Sequence, residues 1–154
     1  MRRTFRHRVT DLGMRTMNGA HRMLLALSRG RLGWTIGTMP AVELHTIGRS
    51  SGQRRSTMLT APIHDDGRYV LIASKGGDDR QPFWYLNLAA QPDVELTIRG
   101  VTRPFRARTA SSAEKAELWQ RIVAAYPGYG GYQGKTERDI PVVICEPRPE
   151  PTQT

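Results

Sequence analysis

The sequence predicts an α+β fold, a mostly antiparallel barrel or sheet with flanking helices, and three observations carry that prediction. Five or six short segments show the alternation or the brief apolar runs of strands. Most are joined by close turn signals such as Asp65-Asp66-Gly67 and Gly100, so sequence neighbours should pair as hairpins. The helical patterns fall at the start, in the middle and near the end of the chain, which places them around that sheet. At 154 residues the chain is long enough for one domain, and a fold of this size buries roughly 70% of the surface its unfolded chain exposes.

The elements follow in order. Met14, Met17, Ala20, Leu24 and Leu27 recur at steps of three and four, the spacing of one side of a helix, within a basic amphipathic segment over residues 1–38. A first strand covers Val42, Leu44, Thr46 and Ile47 and ends at the turn Gly48-Arg49-Ser50-Ser51-Gly52. Arg55 to Ile63 reads as a second strand, and the Asp65-Asp66-Gly67 hairpin leads into a third, Tyr69 to Ala73, apolar on both faces and therefore central. Pro82 suits the first turn of a short helix running to about Ala90, and Pro92 stops it. Val94 to Ile98 and Val101 to Ala107 form a second hairpin about Gly100.

Ser111-x-x-Glu114 fits a capping box and opens the longest helix of the body, with Leu118, Trp119, Ile122 and Val123 inward, until Pro127 ends it. A glycine and tyrosine loop spans residues 126–132, Pro141 to Cys145 is the last strand, and 148–154 is a loose tail. The folded body is thus expected over 39–147.

Composition narrows the function classes. Hydrophobic residues at 38% and charged residues at 24% exclude a disordered chain. The longest apolar run near the N-terminus, Met23 to Leu27, is far short of the ~20 residues a membrane span needs. The single cysteine, Cys145, excludes a disulfide scaffold or zinc ribbon and favours a reducing, cytoplasmic setting.

The net charge of +9 is concentrated: residues 1–34 hold eight arginines against Asp11, while the other 120 residues hold 15 basic and 13 acidic groups. A near-neutral body argues against nucleic acid as a partner. The basic segment could lie on an anionic membrane at the inner face of the cell membrane, or pack on its own domain or on a second copy in a homodimer. A non-enzymatic module binding anionic membrane or nucleic acid through these arginines is a competing reading.

No hydrolytic or metal signature is present, since His7, His21, His45 and His64 are scattered and lack ligand spacing. Asp65-Asp66 serves its hairpin, Asp78-Asp79 a solvated loop, and Cys145 reads as a buried small hydrophobe. Three groups are less ordinary. Gly48 to Arg55 combines a glycine turn with Arg49, Arg54 and Arg55, a pattern able to hold phosphate or carboxylates. Ser74-Lys75 ends an apolar strand and can bring a hydroxyl and a cation to a pocket rim. Trp84 and Tyr85 read as core, whereas Tyr126, Tyr129 and Tyr132 suit a flexible wall over a flat ring.

In order and spacing, these groups resemble the deazaflavin-dependent nitroreductase and quinone reductase family, which uses coenzyme F420. The resemblance lies in Leu44 through Gln53, Ile72-Ala73-Ser74-Lys75, Pro82 through Leu88, Asn87 through Pro92, Tyr126-Pro127 with Tyr129, Tyr132 and Gln133, and Ile140 through Pro147. It covers about residues 42 to 147 and little of the first 40.

What the resemblance implies is a split β-barrel related to FMN-binding barrels, with reduced F420 in a groove and a hydride passed to a quinone-like, nitro or other conjugated small-molecule acceptor. FMN is the alternative cofactor, and no metal is implied. Cofactor contacts carried onto this chain are Arg49, Ser50 and Ser51; Arg55, Ser56, Thr57, Met58, Leu59 and Thr60; Ile72, Ala73, Ser74 and Lys75; Phe83, Trp84, Tyr85, Leu86 and Asn87; and Tyr129. Thr60, Ser74, Tyr126, Tyr129 and Tyr132 would face the substrate, with Ser74 or Tyr129 supplying a hydrogen bond or proton. Ser50 replaces a lysine frequent in this turn, and Thr60 stands where members active on nitroimidazoles carry a tyrosine.

Overall fold

A computed structural model describes residues 11–21, 23, 35, 36 and 39–150. Helix α1 covers residues 11–21. The body contains β1 (Thr35–Ile36), β2 (Met39–Ile47), β3 (Arg54–Thr60), β4 (Ile63–Asp65), β5 (Arg68–Ile72), a 3-10 turn (Lys75–Gly77), α2 (Phe83–Ala90), β6 (Asp93–Ile98), β7 (Val101–Thr109), α3 (Ser112–Ala125), α4 (Gly128–Gly134) and β8 (Val142–Pro147). The strands form one sheet in the order β1-β2-β6-β7-β8-β5-β4, with β3 also paired to β2. Every pairing is antiparallel. The sheet curls into a half-barrel, as expected of the split-barrel class.

Two apolar clusters sit on opposite sides of the curled sheet, because successive strand side chains point to opposite faces. One joins Val42, Leu44, Leu71, Leu96, Phe105 and Val143 to Trp84 and Leu88 of α2. The other joins Val70, Ile72, Val142 and Ile144 to Ile122 of α3 and Tyr129 of α4. Strand β5 supplies Leu71 to the first and Val70 and Ile72 to the second, which is why its apolar run lies inside the sheet between β8 and β4.

The turn chemistry matches the sequence. Asp66 and Gly67 (φ 51° and 77°) and Arg99 and Gly100 (φ 50° and 83°) are consecutive left-handed pairs, the conformation tight hairpins need. The α3 capping box is complete: Ser111 Oγ accepts from the Glu114 N–H at 3.2 Å, and the Ser111 N–H donates to Glu114 Oε2 at 2.8 Å.

Three expectations are corrected. The strand expected over Arg55–Ile63 is two strands, broken at Ala61-Pro62, because proline gives the ladder no N–H and the Ala61 N–H turns to Pro40 O at 3.0 Å. The tyrosine segment is the helix α4, not a loop; its ring contacts at centroid distances of 5.2–6.2 Å offset the helix-weakening glycines. Arg148, expected in the tail, is tied to β7 through Pro104 O at 3.0 Å and Phe105 O at 3.1 Å; residues 151–154 lie outside the described residues.

The sequence leaves the orientation of helix α1 open. Its inward side is Asp11, Met14, Asn18 and His21, whereas Met17 is 64% exposed. Polar contacts decide that orientation: the Met58 N–H of β3 donates to Asn18 Oδ1 at 2.7 Å, and Asp11 meets two cations of the body. Leu24, Leu27 and the arginines at positions 2, 3, 6, 8, 22, 29 and 31 lie outside the described residues.

Candidate functional site

The β2–β3 turn is closed by Gly52 N–H to Gly48 O and Gly48 N–H to Gln53 O, both at 2.8 Å, and Gly52 takes φ 68°. Helix α2 locks this turn through one buried side chain. Asn87 Oδ1 accepts from the backbone N–H and the guanidinium of Arg49, each at 3.2 Å, while Asn87 Nδ2 donates to Thr46 Oγ1 at 3.3 Å. Phe83 lies one helical turn before Asn87 on the same face. Phe83 is 62% exposed, with the Arg49 guanidinium carbon and Lys75 Nζ each 5.7 Å from its ring centroid. Three segments distant in sequence therefore place two cations about one exposed aromatic ring.

Lys75 is reached through a costly turn. Its φ is 46°, followed by Gly76 at 63° and Gly77 at 82°, and the left-handed conformation costs an L-residue about 1–2 kcal/mol. The Lys75 side chain is only 6% exposed, and its Nζ meets Asp11 Oδ1 of α1 at 2.9 Å. Arg80 shares the other Asp11 oxygen at 3.2 Å. Burial pushes the Asp11 carboxyl up, but the bonds and charges of Lys75 and then Arg80 outweigh it and leave it below its ordinary value.

Beside this turn stands the tyrosine cluster. A Cβ at Gly77 would lie 2.8 Å from Tyr132 O and 2.9 Å from Lys135 Cβ, so glycine permits α4 to seat on the 3-10 turn. The hydroxyls of Tyr129 and Thr60 are hydrogen-bonded at 3.1 Å, and those of Tyr126 and Tyr132 at 3.3 Å. Burial raises the Tyr129 phenol, while the hydrogen bond with Tyr126, then burial, pushes Tyr132 up to about 12. Both phenols stay protonated at neutral pH and remain hydrogen-bond donors.

The structure does not bring every expected residue together. Along β3, the side chains of Arg55, Thr57 and Leu59 face one side and those of Ser56, Met58 and Thr60 the other. Ser56 is bonded to His45 at 2.7 Å. Arg54 pairs with Glu95 at 3.2 Å and lines a separate concavity of about 420 Å³ with His45, Asp93 and Arg148, which removes it from the cations near Phe83. Trp84 belongs to the core, and the Tyr85 hydroxyl is bonded to Thr109 at 3.0 Å. Ile72 and Ala73 are buried, Leu86 is half-buried, and Ser50 and Ser51 are exposed in the turn. Ser74 is buried at the start of the 3-10 turn.

Two residues packed on the Lys75 turn were missed by sequence reasoning: Asp11, and Arg138, which donates to Ser74 O at 2.9 Å and to Asp78 O at 2.8 Å. Asp11 had a visible signal as the lone acid of residues 1–34. Arg138 had none, since Thr136-Glu137-Arg138-Asp139 looks like a solvated polar run. Among the described residues no group of His, Cys, Asp and Glu could hold a metal ion.

The chain is similar to known proteins. The sequence matches the F420H(2)-dependent quinone reductase family over residues 14–147. An F420H(2)-dependent quinone reductase of Mycobacterium tuberculosis is 41% identical over 128 residues, which cover 79% of this chain and 83% of that protein. The solved F420-H2 dependent reductase FDR-A superposes with a TM-score of 0.63 at 40% identity, covering 70% of this chain and 94% of its own. A second solved neighbour, described as a domain-swapped dimer, is 35% identical with a TM-score of 0.66 and covers 85% of this chain and 98% of its own. A match over most of the chain, in a body folded as those relatives are folded, is more than a shared barrel: the chain belongs to the F420H(2)-dependent quinone reductase family.

Proposed function

We propose that this F420-dependent reductase passes reducing equivalents to a quinone-like acceptor, with Arg49, Lys75, Phe83 and Asn87 forming the cofactor seat and the tyrosine cluster the acceptor side. Membership of the family makes coenzyme F420 the cofactor, in place of the FMN weighed from the fold class. The observation that supports this seat is the convergence of Arg49 and Lys75 on the exposed Phe83 ring.

The donor set suits the cofactor. F420 joins a flat deazaflavin ring to a phosphate and a chain of glutamates, and two cations beside an exposed ring offer anion recognition and an apolar face together. When bound, the reduced cofactor supplies a hydride from its ring carbon 5. Asn87 fixes Arg49, so its charge is positioned before any ligand arrives, which lowers the cost of ordering. Tyr129 Oη, kept protonated by burial, can donate to an acceptor oxygen as it gains charge, with Thr60 Oγ1 orienting it. Ser74 adds a second hydroxyl beside Lys75. No nucleophile is required of the protein, consistent with the scattered histidines.

Mixing the purified chain with reduced F420 and menadione, and following the return of deazaflavin absorbance, tests the reading. Oxidation that depends on the protein and on menadione is the expected result. Absence of cofactor binding at micromolar concentration would overturn it.

A membrane-facing role for α1 rests on a separate observation. Leu12, Met17 and Met23 are 67%, 64% and 63% exposed, away from the inward side of the helix. With the surrounding arginines they suit an anionic bilayer that also holds lipid-soluble quinone. Flotation with anionic but not neutral vesicles is expected, and equal behaviour with both removes this role. No helix among the described residues is long and apolar enough to cross a membrane. A homodimer is tested by size-exclusion chromatography with light scattering; a monomer across concentrations excludes it.

A further inference from the structure

The turn that carries Lys75 is held from outside by one side chain, Arg138. Arg138 Nη2 donates to Ala73 O at 3.1 Å and to Ser74 O at 2.9 Å, where the chain enters the turn. Its Nε donates to Asp78 O at 2.8 Å where the chain leaves, and its Nη1 donates to Gln81 Oε1 at 2.8 Å. Arg138 is itself anchored: its carbonyl accepts from Gln133 Nε2 of α4 at 2.8 Å, and its N–H donates to Thr136 Oγ1 at 3.3 Å. We propose that Arg138 is a positioning residue for the F420-dependent reaction, its guanidinium bracketing the Ser74–Asp78 turn and so holding Lys75 in the left-handed conformation that keeps its ammonium beside Phe83.

The geometry argues for more than filling space. Within the turn, Gly77 N–H to Ser74 O at 2.9 Å and Asp78 N–H to Lys75 O at 3.1 Å close the backbone. A left-handed lysine persists where its surroundings over-determine it, and the bracket supplies that from both ends. A planar fork with several N–H groups in fixed directions can meet four acceptors on three sides; a lysine ammonium, a single point, cannot span them. Because Gln133, Tyr129 and Tyr132 share α4, the clamp also ties the acceptor side to the cofactor seat.

The proposal rests on the assignment of Lys75 to the cofactor seat, and its test separates the two. The proteins are the full chain, Arg138→Lys, Lys75→Ala and the double variant, with Arg138→Gln as a second probe of the clamp. Hydrogen exchange of the Gly77 and Asp78 amides reads the clamp without ligand, and F420 fluorescence titration reads affinity. In Arg138→Lys those two amides should lose protection while the β5 and β8 amides keep theirs. F420 binding should weaken by about tenfold or more, the equivalent of one charge-assisted contact. In the Lys75→Ala background the same substitution should weaken binding little further, because both act through one ammonium. Guanidinium ion at millimolar concentration should restore part of the affinity to Arg138→Gln.

Unchanged protection of Gly77 and Asp78 in Arg138→Lys would overturn the clamp. Lost protection with affinity losses that multiply independently of Lys75 would overturn its positioning role. Wild-type affinity in Lys75→Ala would instead refute the cofactor seat, a result visible before Arg138 is touched.

Discussion

Replacing Asp11 by Asn removes an internal anion from a cation of the proposed cofactor seat, and its effect has a sign. Lys75 Nζ lies 2.9 Å from Asp11 Oδ1, with the lysine side chain 6% and the aspartate side chain 33% exposed. Two unit charges about 4 Å apart at an effective dielectric near 20 attract by ~4 kcal/mol before desolvation is counted. A third-exposed carboxylate retains part of its hydration and divides its charge between Lys75 and Arg80, so the net hold on Lys75 is about 1–2 kcal/mol, above that of a surface pair. If an anionic group of F420 must take the place of Asp11, that hold is subtracted from the apparent affinity, and Asp11→Asn should bind F420 about 5- to 30-fold more tightly. Fluorescence titration at low salt and pH 7 measures it, with thermal melting as the control for folding. Affinity equal to or weaker than wild type in a folded variant refutes the competition, and would mean that Asp11 orients Lys75 for the ligand. The carboxyl is held below its ordinary value, so the contact is fully present above about pH 4 and lost as pH falls through the folded-state value. Wild-type affinity should accordingly show no step from this group between about pH 5 and 8.

The other expectations are narrower. Asn87→Ala removes both anchors of Arg49 and the bond to Thr46, and should weaken F420 binding by about 1–3 kcal/mol; an unchanged titration would remove Arg49 from the seat. Tyr129→Phe should fold with stability within about 1 kcal/mol of wild type and lower kcat for menadione, and an unchanged kcat excludes that hydroxyl from catalysis. The Tyr129 and Tyr132 phenols are raised in the folded chain, so their contribution to stability is full below about pH 10 and lost as pH climbs toward the folded-state values; a melting temperature that drops already between pH 8 and 9 through tyrosine ionisation, followed by ultraviolet absorbance, would contradict this. Cys145 is fully buried with its thiol pushed up to about 12, and should react with a disulfide reagent only on unfolding; stoichiometric reaction of the native chain would show the strand opens.

What could be read from the sequence was set by local rules. The hairpins were visible because Asp66-Gly67 and Gly100 satisfy a backbone requirement few residues meet, and α3 was visible because its cap is a pairing of Ser111 with Glu114 three residues on. Helix α4 was not, since four glycines in Gly128–Gly134 argue against a helix and only packing among Tyr126, Tyr129 and Tyr132 repays them. The inward side of α1 is left open by its apolar spacing for a related reason: tertiary polar contacts decide it, as Asp11 and Asn18 find a buried ammonium and a strand N–H.

The candidate site divides along the same line. Phe83 and Asn87 share a helix face by spacing alone, so their joint role was legible in principle; that Trp84 and Tyr85 turn away follows from the same geometry. The β3 run Arg55 through Thr60 reads as a unit in the sequence, whereas its side chains alternate between the two faces of the strand. Arg138 lies beyond any such rule. Its partners sit 57 to 65 residues earlier in the chain, three of the four are backbone carbonyls that leave no mark on residue identity, and its neighbours in sequence are polar. Such a residue is invisible to pattern because its specificity is for a shape, the bracketed turn, and not for a side chain. The cations that would meet a ligand are therefore readable by their type, while the groups that aim them are found only when the chain has folded.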